Sequence, residues 1–205
     1  MAKTDEHEDW RKYYQETGTR PPRETLLFAL DRFETELFEG PHRSAVDLGC
    51  GNGRDTIELL RRDWSVVAID GEPTAIEELR ARPDLPTNAR LTTKVARFET
   101  ATWPDSHLVN SSFALPLCPP ETFPGLWQRI KDSLLPGGRV SCQLYGERDS
   151  WAGDPTITFL SRSEIDGLLA DLTVEHFREE EDDSVTPRGT PKHWHIFHIV
   201  ARKPE

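Results

Sequence analysis

Three glycines occupy every second position at the end of the segment Ala45 to Gly53, AVDLGCGNG. Glycine loses more backbone entropy on folding than any other residue, so a run of this kind indicates a need for bare main chain. Glycine permits positive φ in a tight turn and lets the backbone approach a ligand closely. The apolar residues before the turn predict a strand, and the periodic apolar residues after it predict a helix. The segment therefore predicts a ligand-binding turn at a helix amino terminus.

Dinucleotide cofactors bind at such a turn through the pattern G-x-G-x-x-G, with the pyrophosphate on the helix terminus. The glycines at positions 49, 51 and 53 give G-x-G-x-G, and Arg54 stands where the third glycine of that pattern would be. A side chain there would hinder the close packing of helix on strand that this glycine permits. The match to dinucleotide-binding proteins is therefore poor.

Strand-like and helix-like patterns alternate along most of the chain. The strand-like runs are SAVDLGC, SVVAID, RLTTKVARFE, HLVNSSFAL and RVSCQLYG. The helix-like runs are ETLLFALDRFETEL (with Leu37 on its apolar face), RDTIELLRRD, GEPTAIEELRAR and PPETFPGLWQRIKDSLL, the last ended by PGG. This alternation predicts a doubly wound α/β fold with a mostly parallel sheet. Ligands of such sheets bind beyond the carboxyl ends of the strands, where the glycine turn lies.

The end of the chain follows a different pattern. Ser161 and Glu164 have the spacing of a capping box and predict another helix start. The runs LTVEHFREE and HWHIFHIVARK then predict two strands joined by a polar loop, which is most simply an antiparallel hairpin. We expect the acidic run Glu179 to Asp183 to lie in that loop as a solvated segment.

The motif VDLGCGNG resembles the first motif of the class I methyltransferases that depend on S-adenosylmethionine (SAM). Asp70, which closes VVAID, is similar to their second acidic position, and LLPGGRV precedes the fifth strand as it does in that family. The segments NGRDTIEL, LVNSSFALPLCPPETFPGLW, GERDSW and PKHWHIFHIVARK resemble the tellurite-resistance branch. The resemblance implies a Rossmann-like methyltransferase fold, with a seven-stranded, mostly parallel sheet and an antiparallel terminal hairpin.

The resemblance also implies SAM as cofactor, S-adenosylhomocysteine (SAH) as product, and a set of contacts. A carboxylate ending the second strand can accept charge-assisted hydrogen bonds from both ribose hydroxyls. Glu99 would accept the adenine amino group, although a solvated glutamate at a strand end is the alternative. Asp47 would orient the turn near the amino end of SAM, or simply cap nearby amides. The implied cofactor-binding residues are Asp47, Gly49, Cys50, Gly51, Asn52, Gly53, Arg54, Asp70, Gly71, Phe98, Glu99, Asn110 and Ser111.

Two further regions are expected to contact the acceptor. Residues 1–40 are predicted to form an amino-terminal helical lid or extension on the methyltransferase domain of residues 41–205, within one globular unit. Trp10 and Tyr13 lie in this lid. The chain departs from the family pattern at one position, because His107 stands where relatives commonly carry an aspartate near the start of the fourth strand. The candidates for acceptor contact, with packing as the alternative role for each, are Tyr14, Arg20, Arg148 and Trp151.

The implied reaction is in-line displacement of the SAM methyl group by a nucleophile. It requires that the protein position the nucleophile and the methyl group, and we assign no catalytic acid or base. The branch resemblance favours a small-molecule acceptor, either an oxyanion such as tellurite or selenite, or a small thiol or organic acid. The alternatives are an NAD(P)-dependent reductase of similar fold and a non-catalytic SAM-binding protein. Methylation of protein or RNA is disfavoured by the small size of the chain and its acidic balance.

Composition limits the partners. The formal net charge of −11 disfavours nucleic acid. The longest apolar runs are too short for a membrane span. The three cysteines, Cys50, Cys118 and Cys142, fit reduced thiols and so a cytoplasmic location. We expect a monomer or a homodimer. Side chains alternate along a strand, so His193 and His195 share a face that His198 does not, and we predict no metal site.

Overall fold

Eight strands and five α-helices occur in residues 20–186 and 189–205, the part of the chain that the computed structural model describes. The strands are β1 (Ser44–Leu48), β2 (Ser65–Asp70), β3 (Leu91–Val95), β4 (Ser106–Ser111), β5 (Leu134–Gly146), β6 (Phe159–Leu160), β7 (Thr173–Val185) and β8 (Pro191–Arg202). The helices are α1 (Glu24–Glu34), α2 (Arg54–Arg61), α3 (Pro73–Arg80), α4 (Phe123–Ser133) and α5 (Arg162–Leu168).

All of these strands belong to one sheet, in the order β3-β2-β1-β4-β5-β8-β7. β1 to β5 pair in parallel, whereas β8 pairs antiparallel with both β5 and β7. The predicted doubly wound fold with an antiparallel terminal hairpin is thus confirmed. Seven strands lie on this path, and the two-residue β6 adds an eighth beside β5.

Both faces of the sheet are covered, which explains why the central strands are mostly apolar. One core contains the inner faces of α1, α2 and α3, with Leu26, Ile57 and Ile76 fully buried. The other contains α4 and α5, with Trp127 and Ile165 packed on the opposite face. The carboxyl ends of β1, β2 and β4 therefore form one edge over which a ligand can lie.

Two predicted boundaries are wrong. α1 ends at Glu34, so Leu37 lies beyond the helix and is fully exposed. β5 begins at Leu134, directly after α4, so the PGG segment belongs to the strand rather than to a preceding turn. The strand accommodates this segment because its pairing with β4 shifts register between Ser106 and Leu108, and Gly137 takes a positive φ of 73°.

The acidic run is also placed differently from the prediction. Residues 179–183 lie inside β7 and not in the hairpin loop. Their charges are tolerated in a strand because basic side chains face them: Glu181 pairs with Arg148 and His193, and Asp183 with His193. The predicted capping box at the start of α5 is confirmed, with reciprocal hydrogen bonds between Ser161 and Glu164.

Among the described residues, no helix combines the length and the apolar character needed to cross a membrane.

Candidate cofactor-binding site

The glycine turn lies at the carboxyl edge of the sheet and is held there by the neighbouring strand. The backbone N–H groups of Gly49 and Cys50 both donate to the carbonyl of Ile69 in β2, at 2.8 and 3.1 Å. Gly53 N–H donates to the carbonyl of Cys50 at 3.0 Å, and Gly53 precedes α2 as its left-handed N-cap. The main chain of the turn is therefore fixed before any ligand binds.

Gly49 and Gly53 are required for two separate reasons. Their φ angles of 67° and 87° lie in the left-handed region that disfavours side chains. A Cβ added to Gly49 would lie 2.2 Å from the Cβ of Ala114, and one added to Gly53 would lie 2.2 Å from Cδ1 of Leu79. The turn is therefore bare partly because other parts of the chain pack directly against it.

Replacing Gly49 by alanine is expected to lower the free energy of unfolding by about 2–3 kcal/mol, since both the clash with Ala114 and the positive φ oppose a side chain. Urea unfolding measures this loss. The double variant Gly49→Ala/Ala114→Gly should recover the clash component and retain the φ penalty. Gly167→Ala, where an added Cβ meets nothing within 4 Å, is the matched control and should not destabilise. Wild-type stability in Gly49→Ala would contradict this account.

Asp70 connects the turn to the start of α3. Its side chain is buried, with Oδ2 accepting the Gly51 N–H at 2.8 Å and Oδ1 accepting the Glu72 N–H at 2.9 Å. Gly71, which lies between Asp70 and Glu72 in the sequence, is exposed at the same edge of the sheet.

Asp47 is buried at the base of the site. Its Oδ1 accepts from Asn110 Nδ2 at 2.9 Å, and its Oδ2 accepts from the Thr56 hydroxyl at 2.6 Å. Burial, together with the nearby charge of Asp55, raises the pKa of Asp47 to about 7. Two elements, α2 and β4, are thereby joined beneath the turn.

Asp55 is a buried carboxylate of the site that the sequence analysis did not single out. It accepts hydrogen bonds from Arg54 Nε at 3.0 Å, the Arg23 N–H at 3.2 Å and the Ser112 hydroxyl at 2.5 Å. Asn110 Nδ2 is a further donor, at 3.3 Å. Burial acts to raise the pKa of Asp55, but the Arg54 charge and these hydrogen bonds outweigh it and lower the pKa. The sequence feature that could have identified Asp55 is its place as an acidic residue in the first helical turn after the glycines.

The structure brings most of the predicted cofactor residues together. Asn110 and Ser111 are fully buried, and the Ser111 hydroxyl donates to the Leu48 carbonyl at 2.8 Å, so both side chains join β4 to β1. Cys50 is buried, and burial raises the pKa of its thiol well above the ordinary value, which agrees with a purely main-chain role. The carbonyl of Asn52 accepts from Arg82 at 3.3 Å.

Phe98 and Glu99 follow β3 by three and four residues. The half-buried Phe98 ring approaches the turn, because its Cζ would lie 3.6 Å from a Cβ at Gly49. Glu99 is exposed in the turn beside it. This arrangement places a ring and a carboxylate at the outer end of the site.

The residues predicted to contact the acceptor are not gathered at the glycine turn as the predicted cofactor-binding residues are. Tyr14, with Trp10 and Tyr13, lies outside the described residues, and Arg20 is exposed ahead of α1. Arg148 pairs with Glu179 and Glu181 of β7, at 2.9 and 3.0 Å. Trp151 is 39% exposed.

His107 is remote from the glycine turn, at the amino end of β4. Its Nδ1 accepts the Ser44 N–H at 3.0 Å, which ties β4 to the start of β1. The position that relatives occupy with aspartate is therefore structural in this chain.

The three histidines of β8 each pair with carboxylates of β7. His193 contacts Asp183 at 2.7 Å, while His195 and His198 each lie 3.1 Å from a glutamate, Glu179 and Glu180 respectively. Within residues 20–186 and 189–205, no group of three or more histidine, cysteine or acidic side chains is arranged to hold a metal ion.

Comparison with known proteins agrees with this geometry. Residues 45–138 match the family described as a methyltransferase domain. The fold is similar to TehB from Haemophilus influenzae, with TM-score 0.76 and 16% identity over 93% of this chain and 65% of that one, so this chain spans slightly less than two thirds of that protein. No curated protein sequence matches the chain significantly.

Two other similar structures were solved with ligands. One is the Burkholderia thailandensis 1,6-didemethyltoxoflavin-N1-methyltransferase with bound 1,6-didemethyltoxoflavin and SAH, with TM-score 0.69 and 19% identity over 98% of this chain and 85% of that one. The other is the N-methyltransferase NodS from Bradyrhizobium japonicum WM9 with SAH, with TM-score 0.64 and 16% identity over 88% of this chain and 84% of that one. The predicted resemblance to class I SAM-dependent methyltransferases is confirmed by the family match and the shared fold.

Proposed function

We propose that this chain, in which residues 45–138 match the methyltransferase-domain family, transfers the methyl group of SAM to a small-molecule acceptor at the glycine turn. The observation that carries the proposal is the buried Asp70 carboxylate, which lies at the end of β2 and holds the glycine turn by accepting the Gly51 N–H. The SAH bound in the two similar methyltransferases supports the choice of cofactor.

The residues present fit this cofactor. Asp70 would bind the ribose hydroxyls, and the bare turn would lie along the adenosyl and methionine parts. Phe98 would pack on the adenine ring, with Glu99 accepting its amino group. Asp47 and Asn110 would support the turn from below, since their side chains already bond to each other.

When bound, SAM supplies a methyl group on a positively charged sulfur, and the leaving thioether is neutral. The protein must therefore hold the acceptor in line with the methyl group and exclude water, which can contribute up to about 7–11 kcal/mol. Tyr14 and Arg20, in the segment ahead of α1, would border the acceptor, whereas α1 itself packs into the core of the sheet. Arg148 and Trp151, in the loop after β5, would border the acceptor.

For the acceptor, we propose a small molecule, drawn from oxyanions such as tellurite or selenite and from small thiols or organic acids. The fold similarity to TehB, a tellurite resistance methyltransferase, supports the oxyanion, and the net charge of −11 disfavours nucleic acid. The buried free thiols of Cys50, Cys118 and Cys142 support a cytoplasmic location. We propose a monomer or homodimer.

A thermal-shift measurement separates this function from that of a reductase. SAM at about 100 times its Kd should stabilise the protein by about 2.7 kcal/mol, because a ligand that binds only the native state raises stability. NADH should cause no shift, and a shift with NADH alone would contradict the proposal. SAH release with selenite, tellurite, a thiol and an aromatic acid then tests turnover. SAM binding without any SAH release would favour a sensing protein.

A further inference from the structure

A row of aromatic rings leads away from the cofactor turn along the carboxyl edge of the sheet. It begins at Phe113, whose neighbour Ser112 bonds to Asp55 of the site. The ring centroids of Phe113 and Tyr145 are 6.4 Å apart, those of Tyr145 and Trp194 6.1 Å, and those of Trp194 and Trp151 5.8 Å. Such separations are typical of favourable aromatic pairs. We call these four residues the aromatic row.

The first ring of the row is held in a strained position. Phe113 has a φ of 58°, in the left-handed region where a bulky residue is an outlier. Its N–H donates to Gln143 Oε1 at 3.2 Å, and the Arg23 guanidinium lies 4.3 Å from its ring centroid. Strain of this kind is usually retained where the position of a side chain matters for function.

Part of the row is accessible. Trp151 is 39% exposed, and Phe113 and Trp194 are half-buried. Tyr145, between them, is buried and also stacks on Phe159 at 6.1 Å. The row is therefore accessible at Trp151 and, in part, at Phe113 and Trp194, while its centre is fixed in the core.

In the described part of the chain, two cations lie against these rings, the Arg23 guanidinium over Phe113 and the Lys192 ammonium over the other three. Lys192 forms a fully buried ion pair with Asp149, and its Nζ lies 3.9, 4.3 and 5.5 Å from the ring centroids of Trp151, Trp194 and Tyr145. An inorganic oxyanion needs converging cations or N–H donors. Lys192, which lies over three of the rings, is already neutralised by Asp149, so the exposed part of the row offers ring surface.

From this arrangement, we infer that the acceptor is a flat, conjugated organic molecule that stacks on the aromatic row, such as an aromatic acid or thiol, rather than an inorganic oxyanion. The inference rests on the proposed function, because it assigns the acceptor of the same site. Stacking would orient the acceptor plane and so present one nucleophilic atom to the methyl group. Trp151, the most exposed ring, would then determine specificity.

Calorimetry on the SAH-loaded protein tests the inference without requiring turnover. Naphthalene-2-carboxylate and decahydronaphthalene-2-carboxylate carry the same charge and differ in flatness and aromaticity, and selenite is the third probe. We expect naphthalene-2-carboxylate to bind about 3- to 10-fold more tightly than its saturated analogue. Trp151→Leu should remove that difference. Trp103→Leu is the matched control, since Trp103 bonds to Ser133 at the opposite edge of the sheet, and it should leave the difference unchanged.

Equal binding of the two carboxylates, no binding of either, tighter binding of selenite, or an unchanged preference in Trp151→Leu would each overturn the inference. The thermal unfolding midpoint of each variant shows whether it is folded, and Trp151→Phe, which keeps a ring, should retain most of the preference. If SAH binds and naphthalene-2-carboxylate does not, the inference fails alone. If SAH does not bind, the proposed function fails and the inference with it.

Discussion

Replacing Asp70 by alanine is expected to raise the Kd for SAM about 30-fold or more, because loss of one partner in a buried charge-assisted hydrogen bond costs about 2 kcal/mol or more. The carboxylate has two tasks in this account. It would accept the ribose hydroxyls, and it holds the Gly51 N–H at 2.8 Å and the Glu72 N–H at 2.9 Å. The substitution would therefore remove a ligand contact and loosen the turn at the same time.

Isothermal calorimetry with SAM measures this effect. Asp166→Ala is the control, since Asp166 is an exposed acid on α5 that pairs with Arg162, and its Kd should equal that of the wild type. The thermal unfolding midpoint without ligand shows whether the Asp70 variant retains its fold. An unchanged SAM affinity in a folded Asp70→Ala protein would refute the assignment of the ribose site.

The stability of the ligand-free protein is expected to fall as the pH rises from about 4 to about 7 through the contribution of Asp47. Burial and the charge of Asp55 raise the pKa of Asp47 from its ordinary value of 3.8 to about 7. The folded state therefore binds a proton that the unfolded state has released, and raising the pH removes this stabilisation. A shift of this size corresponds to at most about 4 kcal/mol at and above pH 7.

Urea unfolding of the wild type and Asp47→Asn across this pH range tests the prediction. The amide has no proton to lose, so the variant should lack the Asp47 component of the pH dependence. Taking the difference between the two proteins removes other titrations, including that of His198. Burial and Arg178 lower the pKa of His198 to about 4, which gives the opposite slope. Identical pH profiles for the two proteins would contradict the assignment to Asp47.

Asp47 and Asp55 are expected to change the stability of the protein with pH in opposite directions, because their hydrogen-bond partners differ. Asp47 has neutral donors, Thr56 and Asn110, so burial dominates and its pKa rises. Asp55 has the Arg54 guanidinium beside it, so its pKa falls. Its stabilisation is present above its ordinary pKa and is lost only as the pH falls through the lowered value. The two contributions therefore occupy separate pH windows.

The amino-acid sequence by itself determined the α/β alternation, the glycine turn, the acidic end of β2, the terminal hairpin and the capping box at Ser161. Each of these depends on spacing within about ten residues, since the periodicities of 2 and 3.6 and the chemistry of a turn are local properties. The family resemblance came from the same local motifs. For that reason the fold and the cofactor class could be predicted together.

Only the tertiary structure decided which side chains meet across the sheet. Asp55 bonds to Ser112, 57 positions later, and to the backbone of Arg23, 32 positions earlier. The acidic run lies within β7, where β8 places histidines opposite Glu181 and Asp183. The aromatic row likewise joins β5, β8 and two loops. Contacts of this kind depend on strand order and register, which no short stretch of sequence encodes.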